Sequence, residues 1–380
     1  MQNPLKIELP AQRIFGLDIL RALAILFVVF GHARLLLPTE LSIYHDWFIP
    51  DGVSLFFVLS GFLIGGILIR LLENNTPTSK LLFNFWIRRW FRTLPNYFLI
   101  LILLLALNTF RDPNFSFHNI GRYFIFAQNL FYTQPDFFPE AWSLSVEEWF
   151  YLIVPVCIFT LIWRFRFKPS KAIIGVVVFI ILATTIFRSV RFLYVDLDSV
   201  IDWDGTFRKQ VFMRLDSLMF GVLGAYMQHY KPQKWLHYKF PLFLLGIALF
   251  VLSKVLEYSG WVAFDSFYNC VFSFTVVSLA TLFLLPHLST VKQGKGLVGK
   301  SVTFISIISY SMYLLNLSVI MPYINVIIPW GEVFNHNLTA VYFARYFTYW
   351  AIVIVTSTLL YKYFEVPMTR LRDAKAFNKM

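Results

Sequence analysis

Charge is scarce in this sequence, and cysteine scarcer still. Of 380 residues only 14% are charged, which excludes an ordinary soluble domain. The two cysteines, Cys157 and Cys270, both fall within apolar runs. They read as small packing residues, so neither a disulfide framework nor a metal site is implied. Acids number 21 against 33 basic residues, a net charge of +12. In a soluble chain that excess would point to nucleic acid. Here basic loops on the cytoplasmic face of a membrane account for it, and no nucleic-acid partner is expected. The chain also lacks an obvious internal repeat and low-complexity linkers. No small-x-small cleavage site follows the first apolar run, which therefore reads as a retained helix.

What is abundant is apolar residues, 58% of the chain. They cluster in runs near the ~20 residues that cross a bilayer. Ten spans are expected: 14–37, 51–72, 93–110, 142–163, 172–187, 209–228, 240–257, 266–286, 303–327 and 339–364. A shorter apolar piece at 120–132 reads as an interfacial or re-entrant helix. The loops on the side of the termini hold 20 Lys and Arg, and the loops on the other side hold five. Positive residues stay inside, so both termini are expected in the cytoplasm. Backbone groups in lipid must be satisfied within the chain. The expectation is thus an all-α polytopic membrane helix bundle in the lipid bilayer, one domain over 1–380 with no appended soluble domain.

Ionisable residues inside such spans are costly and often functional. The first span, LDILRALAILFVVFGHARLLLP (17–38), carries Asp18, Arg21 and His32. Eleven residues separate Arg21 from His32, about 1100° of helix, so they share a face some ~16 Å apart. This polar line either borders a passage or is structural, an Asp18–Arg21 ion pair with a satisfied His32. The fourth span places Glu147 at nearly the depth of His32, close enough in level for the two to pair and fix the imidazole tautomer. Glu147 and Glu148 also suit a helix start, where the dipole favours acids. In the sixth span Arg214 and Asp216 are two apart, so each needs a partner from another helix. Gly221 and Gly224 allow close packing there.

At the other level, Arg89 and Arg92 lie at i and i+3, with Arg88 beside them. Two guanidinium forks on one face suit phosphate groups, although the positive-inside rule also supplies arginines here. Ser60 reads chiefly as a packing hydroxyl, with a nucleophile as the alternative. Tyr310, Tyr313 and Asn316 follow at three-residue spacing and make one polar edge of the ninth span. Asp196, Asp198, Asp202 and Asp204 read as solvated loop charges, or as contacts to sugar hydroxyls. Arginines at one mouth and His, Glu, Arg and Asp towards the other make a two-sided membrane enzyme or a transporter.

These residues resemble membrane acyltransferase family 3. RALAILFVVFGH (21–32) is similar to that family's Arg/Lys-x10-His signature, RWFR (89–92) to its Arg-x-x-Arg motif, and WSLSVEEWFYLIVP (142–155) to its Trp-Ser-Leu-Ser-x-Glu motif. FFVLSGFLI (56–64), RLDSLMFG (214–221), SYSMYLLN (309–316) and FEVPMTRLR (364–372) follow in the family's order. Members often carry His where this chain has Asn316, and some relatives carry a hydrolase-like domain after the bundle. The resemblance implies a multi-pass acyltransferase of the cell membrane, in bacteria the inner membrane. It would take an acyl group, commonly acetyl, from cytoplasmic acyl-CoA to a hydroxyl of an envelope carbohydrate outside. On that reading Arg21, Arg88, Arg89 and Arg92 hold the donor. Asp18, Ser60, Arg214, Asp216, Tyr310 and Asn316 belong to the pore or acceptor side. His32 is the general base, oriented by Glu147, and Arg214 or another donor meets the oxyanion. A covalent acyl-His or acyl-Ser intermediate stays open. A secondary transporter of an acylated or sugar-like solute is the alternative, although repeated halves and paired broken helices are not found.

Overall fold

The computed structural model describes residues 13–371 apart from 325, 327, 335 and 336. Much of the two basic end segments, and the last residue of the span expected at 303–327, therefore lie outside the described residues. Ten long helices follow: α1 (Phe15–Ala33), α2 (Gly52–Asn74), α3 (Ser79–Arg111), α4 (Ala141–Phe165), α5 (Pro169–Tyr194), α6 (Leu215–Tyr230), α7 (Lys239–Tyr258), α8 (Ser273–Leu288), α9 (Gly296–Leu315) and α10 (Leu338–Leu360). There is no strand among the described residues. Nine helical stretches there are long and apolar enough to cross a membrane.

Local chemistry sets the ends. Asp51, Thr78 and Asn337 accept the free amides of Val53, Leu81 and Ala340 and so start α2, α3 and α10. Pro169 opens α5, where its missing N–H costs nothing. Arg166 takes a left-handed conformation and closes α4.

The sixth expected span, 209–228, is shortened to the 16 residues of α6. Its first residues turn instead, because Asn129 captures their backbone. Val211 N–H donates to the Asn129 carbonyl at 3.1 Å, and the Asn129 amide donates to the Lys209 carbonyl at 2.6 Å. The apolar piece at 120–132 forms only a four-residue helix, Gly121–Phe124, followed by turns. Tyr97 of α3 donates to the Tyr123 carbonyl at 2.9 Å and ties it to the bundle.

α2 and α6 pack backbone to backbone. A Cβ on Gly61 would lie 1.9 Å from the Leu218 carbonyl oxygen, and one on Gly221 would lie 2.0 Å from that of Val58. Only glycine permits this approach. α1 packs on α2, α8 and α9, whereas α4 packs on α2, α3, α5 and α6. That neighbour order decides which polar side chains can meet.

Candidate active site

Among the described residues, two adjoining cavities of the bundle bring ionisable side chains together. The larger, of about 720 Å³, sits where α1, α7 and α9 finish and α2, α4 and α8 begin, and His32 lines it. α9 widens into a π turn at Asn316–Ile320 directly opposite. Asn316 donates its amide hydrogens to the Met312 and Tyr313 carbonyls, both at 2.8 Å. Its Oδ1 is left for His32 Nδ1, 2.5 Å away. An amide oxygen only accepts, so Nδ1 carries a proton, and in the neutral imidazole Nε2 then keeps its lone pair. A neutral imidazole with a free Nε2 is the form a general base needs.

Charged groups ring the same cavity. Arg208 donates to Asp204 at 2.8 Å, lies 3.5 Å from Asp51, and stacks over Trp142 at 5.2 Å. Lys209 pairs with Asp204 at 2.5 Å. Burial pushes the Asp204 carboxyl up, but Arg208 and Lys209 outweigh it and hold the group below the usual range. Glu140, only 2% exposed, lines this wall and accepts from the Ser318 N–H at 3.2 Å and from its hydroxyl. Burial pushes its carboxyl up to about 7 in spite of those bonds.

The second cavity, of about 260 Å³, is lined by Arg21, Arg70, Arg89 and Arg92, with Ser60, Glu147, Tyr310 and Glu365. Arg70 and Arg92 are exposed at its mouth, and Arg21 and Arg89 are half-buried. Glu147 accepts from the Ser60 hydroxyl at 2.8 Å and from Tyr151 at 3.1 Å. Glu365 accepts from Asn96 at 3.0 Å and Ser311 at 2.7 Å, and Tyr310 donates to the Thr93 carbonyl at 2.7 Å. Four guanidinium groups beside two carboxylates give this cavity an excess of cationic side chains, an arrangement that suits an anion.

The structure thus separates residues that depth alone brought together. His32 and Glu147 line different cavities and have different partners: α1 packs on α8 and α9 as well as α2, whereas α4 packs on α3, α5 and α6 as well as α2. Asn316 takes the position beside His32 expected for Glu147. Arg21 and Asp18 do not pair; Asp18 binds Arg13 and accepts from Ser306 at 2.8 Å. Arg88 is exposed and stands apart from the cavity that Arg89 and Arg92 line. Arg214 and Asp216 do find partners on other helices, and both are fully buried. Arg214 donates to Ser54 at 2.6 Å and lies over the rings of Phe274, Phe57 and Trp142. Asp216 accepts from Arg188 of α5 at 2.6 Å and from Thr275 at 3.2 Å. Neither lines either of these two cavities; the cations that line His32's space are Arg34, Arg208, Lys209 and Lys254. Asp196, Asp198 and Asp202 are exposed, and Asp204 alone of the four loop acids lines the cavity.

Sequence reasoning passed over Arg70, Arg188, Arg208, Glu140 and Glu365. Asp204 and Arg208 carried a signal, an acid–base pair at i and i+4. Arg70 had no signal beyond the positive-inside rule, and Glu140 had none.

A family profile described as "Acyltransferase domain" matches residues 14–362. The peptidoglycan O-acetyltransferase OatA of Listeria monocytogenes is 30% identical over 224 residues, which is 55% of this chain and 32% of that protein. The O-acetyltransferase OatA of Staphylococcus aureus is 28% identical over 333 residues, 80% of this chain and 50% of that protein. The chain therefore spans half or less of the length of these relatives. No solved structure matches it. With the profile covering almost every described helix, the chain belongs to the acyltransferase family it describes.

Proposed function

We propose that this protein is an integral-membrane O-acetyltransferase of the cell membrane. It moves an acetyl or related acyl group from cytoplasmic acyl-CoA to a hydroxyl of an envelope glycan, with peptidoglycan as the acceptor class. The acceptor class follows one relative's name, and the direction follows the 20-to-five excess of Lys and Arg on the side of the termini. One observation carries the reading: an arginine-lined cavity and a histidine-lined cavity abut within one bundle. The donor's phosphates are too charged to enter lipid and rest on Arg70, Arg89 and Arg92, with Arg21 deeper. The uncharged pantetheine arm reaches inward past Ser60 and Glu147.

At the far end the acceptor hydroxyl attacks the thioester carbonyl, and His32 Nε2 takes its proton. Asn316 keeps the other ring nitrogen protonated while this happens. Arg208 faces the developing oxyanion. The carbon–sulfur bond then breaks, and His32 returns the proton to the coenzyme A thiolate. Proton and acyl group are both accounted for without a further reactant.

The test is purified protein in proteoliposomes with labelled acetyl-CoA and soluble peptidoglycan oligosaccharides. Free coenzyme A released only with the acceptor present, and label on the sugar, supports the reading. Solute uptake without thioester turnover points instead to a transporter.

A further inference from the structure

Among the described residues, Val53 and Tyr313 are the two that line both cavities. The two cavities therefore adjoin at these side chains, and a group moving directly from the arginine cavity to His32 crosses the wall they form. They are held in different ways. Val53 sits in the first turn of α2, and its N–H is tied to Asp51 at 3.1 Å. Next to it α2 touches α1: a Cβ on Gly52 would lie 2.3 Å from the Ala24 carbonyl oxygen. The backbone at Val53 therefore has no room to retreat. Tyr313 is held by its tip. Its hydroxyl donates to the Glu140 carbonyl at 2.9 Å and accepts from Ser143 at 2.6 Å. Phe56 packs edge-on against its ring at 6.4 Å between centroids. Two hydrogen bonds between neutral groups are a modest restraint. The Val53 side of this wall is held through its backbone and the Tyr313 side through its hydroxyl.

We propose that Val53 and Tyr313 set the acyl selectivity of the protein by limiting the cross-section, not the length, of the group that reaches His32. The proposal rests on the acyltransferase reading above. A linear acyl chain is no wider than the pantetheine arm that carries it, so an opening that admits the arm admits the chain. Branching at the carbon beside the carbonyl widens the group at its leading end. Val53 contributes a β-branched, rotationally stiff side chain at that point. It therefore admits linear acyl groups and excludes branched ones of equal carbon count.

Butyryl-CoA and isobutyryl-CoA separate width from length. In proteoliposomes with soluble peptidoglycan oligosaccharides, transfer of isobutyryl by the natural chain should be at least tenfold slower than of butyryl. Val53→Ala should raise the isobutyryl-to-butyryl ratio at least tenfold. Val53→Leu, which lengthens the side chain at the same point, should lower transfer of both at least tenfold. A ratio in Val53→Ala within twofold of the natural chain overturns the proposal. Should the alanine protein not fold, equal rate in the leucine variant overturns it. Acetyl transfer with an unmoved ratio removes this proposal alone. No acetyl transfer from acetyl-CoA by the natural chain removes the acyltransferase reading as well.

Discussion

His32 donates its Nδ1 proton to Asn316, 284 positions further along the chain, at 2.5 Å. The amide's orientation is settled by its own bonds to the Met312 and Tyr313 carbonyls. The bond therefore fixes which ring nitrogen is free.

His32→Ala should lower acyl transfer by about 10²–10⁴-fold while the protein stays monodisperse in detergent. Asn316→Leu should lower the turnover rate and leave donor affinity unchanged, because it disturbs the ring and not the arginine cavity. Steady-state kinetics with acetyl-CoA separate the two quantities. Normal turnover in both variants removes His32 from the chemistry.

Arg89→Ala combined with Arg92→Ala should weaken coenzyme A binding at least tenfold, and Arg70→Ala should weaken it less, as expected of a residue exposed at the mouth. Calorimetry at two salt concentrations checks this, since the natural chain should lose affinity as salt rises. Unchanged affinity in the double variant would mean the phosphates bind elsewhere.

Glu140 predicts a pH effect. Its carboxyl is pushed from 4.5 to about 7 by burial. Between those values the folded protein holds a proton that the unfolded chain has released. The stability from this group is complete below the unfolded value and is lost as pH rises through the folded one. The melting temperature should therefore fall between pH 5 and pH 8, and Glu140→Gln should flatten that fall. Scanning fluorimetry in detergent reads both, and an identical slope in the variant would exclude Glu140 as its source.

Arg188 and Asp216 are both fully buried and 2.6 Å apart. Removing one leaves the other charged and without its counter-ion. Arg188→Ala or Asp216→Ala should each cost about 3–5 kcal/mol. Arg188→Met with Asp216→Leu should recover most of the folded yield. A double variant no better than the singles, by size-exclusion of membrane extracts, would show that packing and not charge dominates.

The helices were legible because apolar runs announce themselves locally. α6 was overestimated because its first residues bond to Asn129, about 80 positions away, and nothing within 209–214 reveals that. Arg89 and Arg92 were legible from their spacing, which also explains why Arg88, one residue earlier than Arg89, stands apart. Depth along a helix could be read, but neighbours could not. His32 and Glu147 were matched by level, whereas α1 has α9 beside it, and with it Asn316. Arg208 and Glu140 lie in connecting segments, where a span-by-span reading attends to length and charge count more than to contacts.

The Arg188–Asp216 bond also constrains biogenesis. α5 leaves the ribosome before α6, so for a time its arginine has no counter-ion. An unpaired arginine at the centre of a bilayer costs roughly 2.5–3.5 kcal/mol on insertion scales, and less towards the end of a span, where Arg188 stands. That cost favours pairing of α5 with α6 once the aspartate has been made. Order of synthesis thus bears on order of assembly.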